Sequence, residues 1–159
     1  MLRVLFVCLG NICRSPMAEA LMRHKVTNAG LADKIQIDSA GLGDWHLGEP
    51  PHRGTRQVLH TNGVSYSGQT ARQIETSDLS SFDYIITMDH ANYERVEALL
   101  IENNDPEWPV LRPMMSYVEN PIEDIVPDPY YDGRYTYVYG LLDEACDAFL
   151  KALKTEHFL

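Results

Sequence analysis

Residues 4–20 read VLFVCLGNICRSPMAEA: an apolar run from Val4 to Val7 stops at Cys8, crosses Leu9-Gly10-Asn11-Ile12-Cys13, and resumes at Arg14-Ser15-Pro16 with helix-forming residues. The large apolar run predicts a buried strand, and Pro16 suits the first turn of a helix. Together they make a strand-loop-helix unit. In open α/β sheets ligands bind beyond the C-terminal ends of the strands, and Cys8 stands at such an end.

The same alternation runs through the chain. Further short strands are expected at Lys34–Ser39, Tyr84–Met88 and Val110–Met114, with the first at Arg3–Val7. The first helix should close at Gly30 with Met17, Ala20, Leu21 and His24 on one face; others should cover Thr55–Thr61 and about Ala91–Asn103. A last helix carries Val138, Leu141, Leu142, Ala145, Cys146, Phe149 and Leu153 at helical spacing. Four strands alternating with helices imply a doubly wound sheet of four parallel strands flanked by helices. With 159 residues, 45% of them hydrophobic, residues 1–159 are expected to form one domain.

Charge and cysteine usage exclude several classes. A net charge of −10 opposes non-specific attraction to nucleic acid or an anionic membrane, so an anionic ligand must be held by local groups. The N-terminal apolar stretch is too short for a signal segment or a membrane span, and a cytoplasmic protein is expected. Three cysteines (Cys8, Cys13, Cys146) without CxxC spacing suit neither a disulfide framework nor structural zinc. Six histidines show no metal spacing, surface roles are expected for most of them, and no metal or cofactor is implied.

Between Cys8 and Arg14, Gly10 and Asn11 are the residue types that most readily adopt left-handed backbone, which can turn successive N–H groups inward. Followed by a helix N-terminus, such a loop forms a nest for a tetrahedral oxyanion, inorganic phosphate among them. Arg14 adds a planar fork for two phosphate oxygens. The same field favours a thiolate at Cys8, to which Ser15 can donate a hydrogen bond. A thiolate beneath a bound phosphate is placed for in-line attack on phosphorus. The leaving oxygen then needs a proton donor. Asp128, held between Pro127 and Pro129 and followed by Tyr130 and Tyr131, is the candidate acid, with Asp124 and Asp132 as weaker ones.

The string CLGNICRS after an apolar strand resembles the C-x5-R-S phosphate loop of the low-molecular-weight protein tyrosine phosphatases. "SAG" at Ser39–Gly41, "ARQ" at Ala71–Gln73, "MD" at Met88-Asp89 and "DPYYDG" at Asp128–Gly133 extend the resemblance over nearly the whole chain. It implies hydrolysis of phosphotyrosine, and so phosphotyrosine-containing proteins as partners, through a phosphocysteine on Cys8, with Arg14 binding phosphate and Asp128 acting first as acid, then as base. The substrate would lie on Leu9, Gly10, Asn11, Ile12, Cys13 and Ser15, walled by Trp45, Tyr130 and Tyr131. Asn11 and Ser39 would brace the loop through their side chains. Asp89 is read in two ways, as an orienting group for the loop or as the cap of the following helix. The family often has a histidine where this chain has Gln69.

Cys13, in the same loop, could trap an oxidised Cys8 as a disulfide, whereas Cys146 reads as core. Ile12 stands where phosphoarginine phosphatases of the family usually carry threonine, which points to tyrosine phosphate. Reductase chemistry of the arsenate type needs resolving cysteines, and none lies between Cys13 and Cys146. A phosphate-binding module without turnover is the reading from outside catalysis.

Overall fold

The computed structural model describes residues 1–159. Strand β1 runs from Leu2 to Cys8, and every side chain from Val4 onward is buried. It is buried because both its neighbours are strands and both its faces are covered, the usual environment of a parallel sheet. β2 (Ile35–Gly41) pairs with it from Leu2↔Ile35 to Cys8↔Gly41, and β3 (Tyr84–Thr87) pairs on its other side. β4 (Val110–Pro113) completes a four-stranded, wholly parallel sheet in the order β2-β1-β3-β4. The chain leaves β1 toward one edge and returns across it to β3. The strand order therefore reverses beside β1, and Cys8 lies at that switch point.

Alternation along β1 sends Val4, Phe6 and Cys8 into one core with Met17, Leu21 and Phe149, and Leu5 and Val7 into a smaller one with Leu79, Val96 and Leu100. The first face is covered by α1 (Arg14–Asn28) and α6 (Tyr135–His157), the second by α3 (Thr76–Ser81) and α4 (His90–Asn103). α6 buries the seven residues its periodicity names, Cys146 included. α2 (Arg53–Thr61) packs against α1 and α6.

α1 differs from expectation. Its residues from Arg14 to Met22 are all buried, and His24, assigned to the buried face, is exposed. The N-terminal half of α1 is enclosed on every side, by β1, α6 and the site loops, so no polar stripe survives there. Only the second half, reaching past the sheet, is amphipathic. The Asn120–Gly133 stretch contains α5 (Pro129–Asp132), a single turn that Gly133 ends in left-handed conformation.

Candidate active site

The loop between Cys8 and Arg14 is built inside out. The carbonyls of Cys8, Leu9, Ile12 and Cys13 accept hydrogen bonds from the backbone N–H groups of Leu42, Gly43, His52 and Met17. The N–H groups of Leu9 to Cys13 donate to no other protein group. They are left for an anion, beside the first N–H groups of α1, which no helix can satisfy internally. Left-handed backbone occurs at Asn11 (φ 57°) and not at Gly10. At Gly10 the backbone runs close to His46, and a Cβ there would lie 3.3 Å from its ring.

Asn11 is buried and fully used. Its Nδ2 donates to Ser15 Oγ at 2.8 Å and to Ser39 Oγ at 3.0 Å, while its Oδ1 accepts from the Arg72 N–H at 3.0 Å. Ser39 Oγ donates a hydrogen bond to Glu19 Oε1 (2.6 Å), a buried carboxylate paired with Arg23 at 2.7 Å. Cys8 Sγ lies 3.0 Å from Ser15 Oγ. Since Ser15 already accepts from Asn11, its one proton is free for the sulfur. "SAG" and "ARQ" thus meet behind the loop, where a parallel bridge joins Gly41 to Gln73.

Arg14 is 2% exposed. Its Nη1 donates to Asp89 Oδ2 at 2.6 Å and to the Val126 carbonyl at 2.9 Å, and its Nη2 donates to Asp128 Oδ2 at 3.3 Å. Nε is buried with no partner, so the Nε–H and a second Nη2–H remain as a two-pronged donor. Burial opposes the guanidinium charge, but Cys8, Asp89 and Asp128 outweigh it and raise Arg14 above its ordinary value. Asp89 satisfies both readings at once, for its Oδ1 caps α4 by accepting from the Asn92 N–H at 2.8 Å while Oδ2 holds Arg14.

Asp128 caps α5, its Oδ1 accepting from the Tyr130 N–H at 3.1 Å, which leaves Oδ2 turned toward Arg14. Asp124 pairs with His90 and Asp132 with Arg134, both on the surface. Above the loop opens a pocket of about 370 Å³ lined by Cys8, Leu9, Gly10, Ile12, Cys13, Arg14, Trp45, His46, Asp128, Tyr130 and Tyr131. Trp45 and Tyr131 are exposed at 66% and 77%, as wall residues and not core.

Three contributors have no motif of their own. His46 lines the pocket, its Nδ1 2.7 Å from Glu49. His52 caps α2, accepting from the Gly54 N–H, and stands edge-on to Tyr130. Tyr135 Oη lies 2.8 Å from His52 Nδ1 and 3.5 Å from Cys13 Sγ. Burial, against the Tyr135 contact, pushes the Cys13 thiol up to about 12. As expected for most of the six histidines, His24, His60, His90 and His157 are exposed; His46 and His52 are half-buried, drawn in by aromatic packing and a helix cap. Gln69 is buried and donates to the Pro16 carbonyl at 3.1 Å, with its Oε1 unpartnered. It bonds to none of Asn11, Ser15, Ser39 or Glu19.

A doubly wound sheet with a cysteine and an arginine framing an amide-lined loop at its switch point defines a protein of the cysteine-dependent, oxyanion-binding class. Residues 3–158 match the family model for low molecular weight phosphotyrosine protein phosphatase, and the chain belongs to that family. It is 44% identical over 156 residues to the low molecular weight protein-tyrosine-phosphatase YfkJ of Bacillus subtilis, covering 98% of each chain. The crystal structure of YfkJ superposes with a TM-score of 0.93 over 98% of this chain and 96% of that one. PtpA of Staphylococcus epidermidis, a low molecular weight protein-tyrosine-phosphatase, is 41% identical over 92% of this chain and 90% of its own. A Drosophila arginine phosphatase superposes with a TM-score of 0.89 at 34% identity, over 95% of this chain and 97% of that chain. No helix is long and apolar enough to cross a membrane.

Proposed function

We propose that residues 1–159 act as one cytoplasmic phosphatase domain that removes phosphate from phosphotyrosine-containing proteins, with Cys8 as nucleophile, Arg14 as phosphate ligand and Asp128 as acid and base. The observation that carries this reading is the Cys8–Ser15 contact at 3.0 Å beneath amides that have no protein acceptor. A phosphate seated there takes the loop N–H groups and the free edge of Arg14. Its phosphorus then faces Cys8 Sγ, and the leaving oxygen points toward the mouth, where Asp128 stands.

In the first half-reaction the sulfur forms the P–S bond as the P–O bond to the phenol breaks, and Asp128 gives its proton to the departing oxygen. In the second, Asp128 takes a proton from water, the water oxygen attacks phosphorus, and the P–S electrons return to Cys8. Trp45, Tyr130 and Tyr131 favour an aryl group, and a serine phosphate is too short to reach the loop past them. Ile12 presents an apolar surface in the pocket and favours phosphotyrosine over phosphoarginine.

Parallel assays on phosphotyrosine, phosphoserine and phosphoarginine peptides, with an aryl phosphate as reference, test this reading. Cys8→Ser should abolish turnover while retaining phosphate binding; activity persisting at the original rate would remove the thiolate mechanism. Asp128→Ala should lower the rate on phosphotyrosine by roughly 10²–10⁴-fold and much less on a nitrophenyl ester, whose leaving group needs little protonation. Equal losses on both would take Asp128 out of the acid role.

A further inference from the structure

Cys13, the start of α2 and the start of α6 meet around one aromatic ring. The Tyr135 ring lies flat on the His52 ring, 5.2 Å between centroids and 8° between planes. It also covers Gly54, where a Cβ would overlap it. His52 Nδ1 accepts the Gly54 N–H at 3.0 Å and so carries no proton, which places the ring proton on Nε2. The Tyr135 hydroxyl, 2.8 Å from the same Nδ1, must then donate to it, and its oxygen turns a lone pair toward Cys13 Sγ at 3.5 Å. The hydrogen bonds therefore run one way, from the Cys13 thiol through Tyr135 to His52.

Both ends of that chain reach the site. The His52 N–H donates to the Ile12 carbonyl at 2.7 Å and Thr55 Oγ1 to the Cys13 carbonyl at 3.2 Å, so the start of α2 grips the second half of the loop by its carbonyls while Tyr135 takes its thiol. The His52 ring also stands against Tyr130, a pocket wall, at 5.8 Å and 76°. Neither His52 nor Tyr135 lines the pocket itself. We propose that Tyr135 and His52 are positioning residues whose hydrogen bond couples the phosphate-binding amides of Ile12 and Cys13 to the Tyr130 wall, so that one chain sets both the oxyanion cradle and the aryl slot. This rests on the phosphotyrosine reading above.

Two variants that keep the fold provide the test. Tyr135→Phe removes the hydroxyl and retains the stacked ring; His52→Asn retains a capping acceptor for Gly54 and removes the imidazole. Each should raise the Kd of inorganic phosphate, which needs only the loop, and the KM of a phosphotyrosyl peptide, which also needs the wall, by about three- to tenfold. The kcat should change by less than about twofold, because the loop amides hold phosphate in the substrate and in the transition state alike. Since the pair acts as a unit, Tyr135→Phe/His52→Asn should lose no more than the larger single loss. In the wild type, the ring nitrogen chemical shifts of His52 should report a proton on Nε2 and none on Nδ1. Losses that multiply in the double variant, phosphate binding unchanged in both single variants, or a proton on Nδ1 would overturn the proposal. A lowered melting temperature with intact binding and kinetics would overturn it too, leaving the pair a structural contact. A failed phosphatase reading would show separately, as no nitrophenyl phosphate turnover in the wild type, with phosphate Kd and the His52 tautomer still testing the pair.

Discussion

Ser15 carries one hydroxyl proton and two acceptor positions, and Asn11 Nδ2 occupies one of those positions from 2.8 Å. The proton is thereby directed to Cys8 Sγ, and a thiolate there accepts it without rearrangement. The same hydrogen bond is available to the sulfur when it departs from phosphorus. Ser15→Ala removes it while leaving a buried site of nearly the same volume. We expect kcat on an aryl phosphate to fall by about 10–100-fold, with the larger effect on hydrolysis of the phosphocysteine, measured as burst amplitude against steady-state rate. An unchanged kcat would mean that Asn11 and the loop amides alone set the reactivity of Cys8.

At the scale of elements, the site is a meeting of termini. The end of β1 delivers Cys8, the start of α1 delivers Arg14, and the caps of α4 and α5 are Asp89 and Asp128. A carboxylate at a helix N-terminus is held by backbone N–H groups, so each cap has one oxygen for its helix and one for Arg14. Asp89→Asn separates the two duties, since asparagine caps as well as aspartate but brings no charge to the guanidinium. The melting temperature should move by no more than a degree or two, while KM for aryl phosphate rises and kcat falls, together lowering kcat/KM by roughly tenfold or more. A lower melting temperature with intact kinetics would assign Asp89 to the cap alone.

Across the whole molecule, the titratable side chains most perturbed by burial share one sign. Burial is the leading cause that pushes Cys13 and Tyr117 up to about 12, and it also raises Cys146, Tyr84 and Tyr135 above their ordinary values of 9.0 and 10.0. Each holds its proton more tightly folded than unfolded. The stability they contribute is fully present below about pH 9 and drains as pH rises through 9 and 10 toward their folded values. Thermal melts between pH 7 and pH 11 should show a plateau to about pH 9 and then a fall of several degrees. A flat curve to pH 11 would show that these groups ionise in the folded protein without penalty.

The strand-loop-helix, the four strands and the buried stripe of α6 follow from local pattern, because apolar spacing and turn residues act over a few positions. Cys8, Arg14, Ser15 and Asp128 were legible for a related reason: a contiguous loop and a proline-flanked acid carry their geometry with them. Glu19, Arg72, His46, His52 and Tyr135 were not, since each acts on the site through a contact made only when distant segments pack. Tyr135, for example, is 122 positions from the Cys13 sulfur it touches. His24 failed in the opposite direction, because periodicity reports a stripe but not how much of a helix lies under its neighbours. By itself the sequence determined the strands and helices and the loop that sets Cys8, Arg14 and Ser15 side by side, all of which depend on short-range covalent order. Only the tertiary structure decided that Asp89 and Asp128 converge on one guanidinium, that burial raises the Cys13 thiol above its ordinary value, and that His46, His52 and Tyr135 gather beside the loop. Those are consequences of burial and of charges brought together across the fold.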